Sequence, residues 1–152
     1  MARWAEFKAA APDLADRVEE RFAIRRHKTL ATLRKDGSPR ISGIETEFDG
    51  SDVSLGMMPD SRKLHDLRRD PRLALHSPTE DPPIDGPSGW RGEAKIAGRA
   101  VEVPDVNSPV AGAGRIRVDI TEVVLTSLDE TGSRLVVESW HPSRGRDRLE
   151  RA

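Results

Sequence analysis

Cysteine and tyrosine are both absent from this chain of 152 residues. Without cysteine there is no disulfide scaffold, no zinc ribbon and no thiol nucleophile. Without tyrosine there is no phenolic proton donor. Aromatic side chains are few: three Phe and three Trp. No apolar run approaches the roughly 20 residues of a membrane span, and Met1-Ala2-Arg3-Trp4 does not begin a signal-peptide core. No membrane partner is therefore expected, and the expected location is the cytoplasm. An excess of one charge is also missing: 25 basic against 26 acidic residues give a net charge of -1. That balance lacks the basic surplus that marks many nucleic-acid binders. The two basic clusters (Arg25, Arg26, His27, Lys28 and Arg144, Arg146, Arg148, Arg151) are interleaved with acids and lack stacking aromatics, so nucleic acid is not an expected partner.

What remains is polar. Hydrophobic residues make up 36% and charged residues 34%, with a mean hydropathy of -0.61. The length is that of one domain, 1–152. So polar a chain is thin in core, which points to a partner subunit, to a bound ligand, or to part of the chain being loop and tail. Of the basic residues, 20 are Arg and 5 are Lys; Arg suits fixed bidentate contacts with phosphate or carboxylate, while GC-rich coding accounts for most of such an excess.

Residues 3–26 read as a helix, with Pro12 at a first-turn position and Leu14, Val18 and Phe22 on one face. The period then becomes two. Strands are expected at Lys28 to Arg34, Pro39 to Phe48 and Asp52 to Met58, joined by turns at Asp36-Gly37 and Asp49-Gly50. A short helix opens at Pro59-Asp60-Ser61, capped by Asp60 or Ser61, and ends at Asp70-Pro71. Further strands are expected at Arg72 to His76, Arg91 to Val103, Ile116 to Leu125 and Leu135 to Trp140. Gly98 marks a bend or bulge in the long one. Residues 78–89 and 104–114 read as loops, and 142–152 as a basic tail that frays. The expected fold is mainly β: an antiparallel barrel of six to seven strands over 28–141, with an N-terminal helix and a short internal helix.

The internal helix carries the strongest chemical signal. A helix start offers free N–H groups and a positive dipole end, and Ser61, Arg62 and Lys63 there build a phosphate site. The plain alternative is a Ser cap with two solvated cations, although cations in a first turn oppose the dipole. Gly56-Met57-Met58, just before it, can line a flat apolar slot or simply pack in the core. The four His residues show no metal-ligand spacing, so no metal site is expected. No nucleophile elbow, phosphate loop or dinucleotide fingerprint is present. No catalytic residue can be named.

Taken together, these residues resemble the flavin-binding split-barrel superfamily, the pyridoxamine 5'-phosphate oxidase-like proteins. The most specific stretch is Asp60-Ser61-Arg62-Lys63 followed by Leu67-Arg68-Arg69-Asp70-Pro71-Arg72 between two strands. Gly92-Glu93-Ala94-Lys95-Ile96-Ala97-Gly98, Arg117 to Val124 and Glu138-Ser139-Trp140 read like the smaller bacterial branch. The resemblance implies an antiparallel split β-barrel. It also implies a homodimer that binds FMN, or alternatively the deazaflavin coenzyme F-420, at the subunit interface and moves hydride to or from a small-molecule substrate. Ser61, Arg62 and Lys63 then hold the phosphate, Arg40, Ile41 and Ser42 lie beside the ring, and Met57 and Met58 add ring or phosphate contacts. Trp140, with Arg146 or Arg148, approaches the cofactor of the other subunit. Heme, with His76 as the axial candidate, and non-catalytic sequestration of a ligand are further alternatives within the superfamily. The chain departs from the oxidase pattern at Met57, where a hydroxylated residue is usual, and at Glu93, which stands in place of a Gln that bonds the flavin. It departs again in the short 104–114 segment.

Overall fold

The computed structural model describes residues 1–105 and 108–152, so two positions of the expected 104–114 loop lie outside the described residues. Eight strands and three α-helices follow one another: α1 Trp4–Ala10, α2 Pro12–Ala23, β1 His27–Leu33, β2 Pro39–Phe48, β3 Val53–Met57, α3 Arg62–Arg69, β4 Arg72–His76, β5 Glu93–Val103, β6 Gly114–Leu128, β7 Leu135–His141 and β8 Gly145–Arg151. All pairings are antiparallel, in the order β3-β2-β1-β4-β5-β6-β7-β8. A further pairing of β3 with β6 closes the first six into a barrel.

Two expectations are corrected. The N-terminal helix is two helices, because Pro12 disfavours helical backbone at the residue before it and Ala11 takes φ -145°, ψ 68°. The barrel itself has six strands, within the expected six to seven, and one strand of the sheet lies beyond those expected. The extra strand is β8, so the basic tail does not fray: it pairs with β7 from Leu135↔Arg151 to His141↔Gly145.

β6 is 15 residues long and serves two neighbourhoods. Gly114 to Arg117 pairs with β3, and Val123 to Leu128 carries β7. Against β5 its register slips between Ala97 and Gly98, a bulge. A Cβ on Gly98 would sit 2.1 Å from the Asp119 carbonyl oxygen, so only glycine fits where the strands come this close.

Inward positions of the strands build the core: Leu30, Ile44, Leu55, Leu75, Ile96, Ile116 and Ile120 are buried. Trp4, Phe7, Leu14, Val18 and Phe22 of the first two helices join it. The scarce aromatics are concentrated there. Trp4 meets Phe7 and Phe48 edge-on at centroid distances of 5.1 and 4.9 Å. Among the described residues no helix is long and apolar enough to cross a membrane.

Candidate functional site

β3 ends at Met57, and Pro59-Asp60 turns the chain into α3. Ser61 caps the helix, its hydroxyl accepting from the Leu64 N–H at 3.4 Å. Leu64, Asp66 and Leu67 face inward and are buried. Asp66 accepts from the Thr32 hydroxyl (2.8 Å), Arg40 Nε (2.7 Å) and Arg69 Nη2 (2.9 Å). Burial raises its pKa, but the hydrogen bonds from Arg40, Thr32 and Arg69 outweigh burial and hold it below the usual carboxylate value. These bonds tie β1, β2 and α3 together at one point.

Around that point lies a cavity of about 600 Å³. Arg34, Lys35, Arg40, Arg62 and Arg69 contribute five cations to its lining, against the carboxylates of Asp36 and Asp66, with His65 beside them. Arg40 and Arg69 are occupied by Asp66. Among the described residues Arg62 has neither an ion pair nor a side-chain hydrogen bond. The arrangement is an open cationic bowl, suited to an anion with several acceptor oxygens.

β2 divides the expected ring contacts between two faces. Arg40 and Ser42 share the half-buried face with Ile44, while Ile41 points outward and is 75% exposed. Outside the barrel the register runs Ile41↔Ala31↔Ala74↔Ala97↔Glu122 across five strands. Three alanines in a row leave a shallow, largely apolar cavity of about 400 Å³, edged by Thr29, His76 and Lys95. Such a lane is shaped for a flat ring. Glu122 closes one end and lies 2.7 Å from His141 Nε2. His76 keeps Nδ1 2.7 Å from the Ser77 carbonyl oxygen, and its Nε2 is 3.8 Å from Glu93.

The expected residues are therefore only partly gathered. Arg40 and Arg62 meet in the cationic bowl. Lys63 lies apart from that lining: its Nζ donates to the Gly43 carbonyl at 3.0 Å. Ser61 caps the helix, and Ile41 belongs to the outer lane. Met57 is buried, and Met58 is 62% exposed. Trp140 is 5% exposed and packs on Phe7 at 5.0 Å, so in this chain its ring is core rather than a free arm. Sequence reasoning missed Arg34, Lys35, His65, Asp66 and Arg69. Only the i,i+3 spacing of Asp66 and Arg69 hinted at one of these contacts. Among the described residues no group of three metal-ligating side chains is found.

A closed antiparallel barrel, with a cationic helix start beside it and an apolar lane on its outer wall, defines a split-barrel protein. The family model described as pyridoxamine 5'-phosphate oxidase matches residues 14–137, and the chain belongs to that family. Three of the solved structures that share the fold illustrate this. One is a pyridoxamine 5'-phosphate oxidase-related, FMN binding protein from Nostoc punctiforme, at 10% identity with a TM-score of 0.65, covering 93% of this chain and 96% of that one. Another is an F420 reductase, at 19% identity with a TM-score of 0.52, covering 68% and 92%. The third is HutZ, the heme storage protein of Vibrio cholerae, at 11% identity with a TM-score of 0.54, covering 73% and 89%. No curated protein matches the sequence.

Proposed function

We propose that the protein is an oxidoreductase that binds a phosphate-bearing flavin-type cofactor, FMN or alternatively the deazaflavin coenzyme F-420, and acts on a small molecule. The observation that carries this reading is Arg62. Among the described residues it is an unpaired cation in the first turn of α3, where it opposes the helix dipole, and it lines a bowl already rich in guanidinium groups. A phosphate there relieves the repulsion among these groups and accepts the free N–H groups of the first turn. The donor set fits the phosphate group of such a cofactor, and the alanine lane fits a planar ring.

When bound, such a cofactor supplies the electron transfer. The chain's own residues bind and orient it. Arg62 and Arg34 take phosphate oxygens. Asp66 holds Arg40 rigid at the bowl's edge. Ala31, Ala74 and Ala97 keep one ring face dry. Lys63 braces β2 through Gly43. Ile41 and Met58, both largely exposed and apolar, need a cover, and a second copy of this chain supplies it in this reading. That cover also provides the apolar burial the composition lacks.

The test is a titration of the purified protein with FMN and with coenzyme F-420, followed by visible absorption and fluorescence. Saturable binding of one of them is expected; binding of neither overturns the reading. Turnover of the reduced cofactor with an added acceptor separates an enzyme from a sequestering protein. A heme reading rests on His76, whose Nδ1 contact with a backbone carbonyl is the usual way to aim Nε2 at a metal. Saturable hemin binding that is lost in His76→Ala would favour it over a flavin.

A further inference from the structure

A second cavity, of about 510 Å³, lies between α2 and strands β1 and β2, and its lining shares no residue with the cationic bowl or the alanine lane. Phe22, Phe48 and Thr46 line it together with Lys28, and Asp16, Glu19 and Glu20 of α2 contribute carboxylates. Its volume suits a small organic ligand.

Lys28 is the unusual member. It takes an inward position on β1 and is only 8% exposed. An ammonium has three donors, and Lys28 Nζ spends one of them, on the Arg26 carbonyl at 2.8 Å. Among the described residues no carboxylate lies within ion-pair distance of it. Burial lowers its pKa, with Glu45 opposing. Nearby, the Thr46 hydroxyl oxygen is buried and has no hydrogen-bond partner. A methionine and a valine would fill these two places without leaving polar atoms unsatisfied.

The charges around the cavity select among ligands. Glu20 is engaged by Arg21 and Arg91. Asp16 has only Lys8 at 3.9 Å, and Glu19 has no ion pair among the described residues. A simple anion would meet the α2 carboxylates, and a simple cation would meet Lys28. A molecule carrying both charges satisfies each side, and Phe22 and Phe48 offer it an apolar wall.

We propose that this cavity binds a small zwitterion of the amino-acid type with an apolar side chain. The carboxylate takes the spare donors of Lys28 and the Thr46 hydroxyl. The ammonium faces Glu19 and Asp16, and the side chain lies on Phe22 and Phe48. The site is independent of the cofactor reading.

Isothermal titration of the full chain, with no cofactor added, tests this. The probes are L-phenylalanine and L-leucine, with two half-ligands: 3-phenylpropionate, which lacks the ammonium, and 2-phenylethylamine, which lacks the carboxylate. At least one amino acid should bind saturably, and each half-ligand at least about tenfold more weakly than L-phenylalanine, since each loses a charge-assisted contact. Lys28→Met should weaken amino-acid binding by at least about tenfold. Glu19→Gln, a near-isosteric change at a partly buried helix position, should weaken the amino acids and leave 3-phenylpropionate unchanged. The proposal is overturned if neither amino acid binds, if a half-ligand binds as tightly as L-phenylalanine, or if both variants bind like the parent protein.

Discussion

Asp66 brings together Thr32 from β1, Arg40 from β2 and Arg69 from its own helix, and it does so almost out of contact with water. Removing the carboxylate leaves Arg40 half-buried without its partner. Asp66→Ala should therefore cost about 3 kcal/mol of unfolding free energy in denaturant melts. The pH dependence follows from the lowered pKa. The stabilisation is fully present above the ordinary aspartate value of 3.8 and is lost as pH falls through the lower folded value. Acid titrations of the wild type should show this loss, and those of Asp66→Ala should lack that component. Among the described residues Arg62 has no structural partner to lose. Arg62→Ala should leave the melting temperature near that of the wild type while weakening FMN or F-420 binding by about 1–3 kcal/mol in a fluorescence titration. Of these two residues only Arg62 was visible beforehand, because its signal is local: a cation at a helix start. Asp66 draws on partners 26 and 34 residues away, and no window along the chain contains them.

Among the elements, those with a buried face were legible. β1, β4 and β5 alternate because one face packs inward, and α3 was marked by its cap and by Leu64 and Leu67. The Gly98 irregularity was legible too, since a glycine inside an alternating run signals close backbone approach. Gly98→Ala should be destabilising by about 1–3 kcal/mol or more, because the new methyl meets a carbonyl oxygen rather than a side chain that can move. A thermal melt reads this directly. β8 was not legible for the opposite reason. It has one neighbour and almost no burial, so its stability comes from backbone hydrogen bonds that leave no hydrophobic pattern. Arg146, read as a tail cation and as a candidate to approach the cofactor of the other subunit, bonds Asp13 on α2 at 2.7 Å. The outer lane was hidden as well. Ala31, Ala74 and Ala97 carry no signal singly and become a surface only once the register aligns them.

For the whole molecule, the thin core foreseen from composition is resolved in part by placement. The aromatics cluster where the first two helices meet the barrel, while Ile41 and Met58 remain exposed. An apolar lane with such neighbours predicts self-association. Sedimentation velocity should give a dimer, and Ala74→Arg, which puts a charge in the middle of the lane, should shift the protein to monomer and abolish FMN or F-420 binding together. A monomeric wild type would remove the second copy from the proposed site.

The shared strand β6 bears on how the molecule is made. Barrel closure joins Ser54 to Arg117 and Met57 to Gly114, so the seam forms between segments about 60 residues apart, at the entropic cost of a long loop. On the ribosome this means that the first three-quarters of the chain emerge as an open sheet. β3 and β5 stand as bare edges until residues 114–117 arrive to bridge them. A nascent chain arrested before that point carries two unpaired strands ready to capture its neighbours. One more turn of synthesis delivers, in a single segment, both the stave that shuts the barrel and the rail on which β7 and β8 are laid.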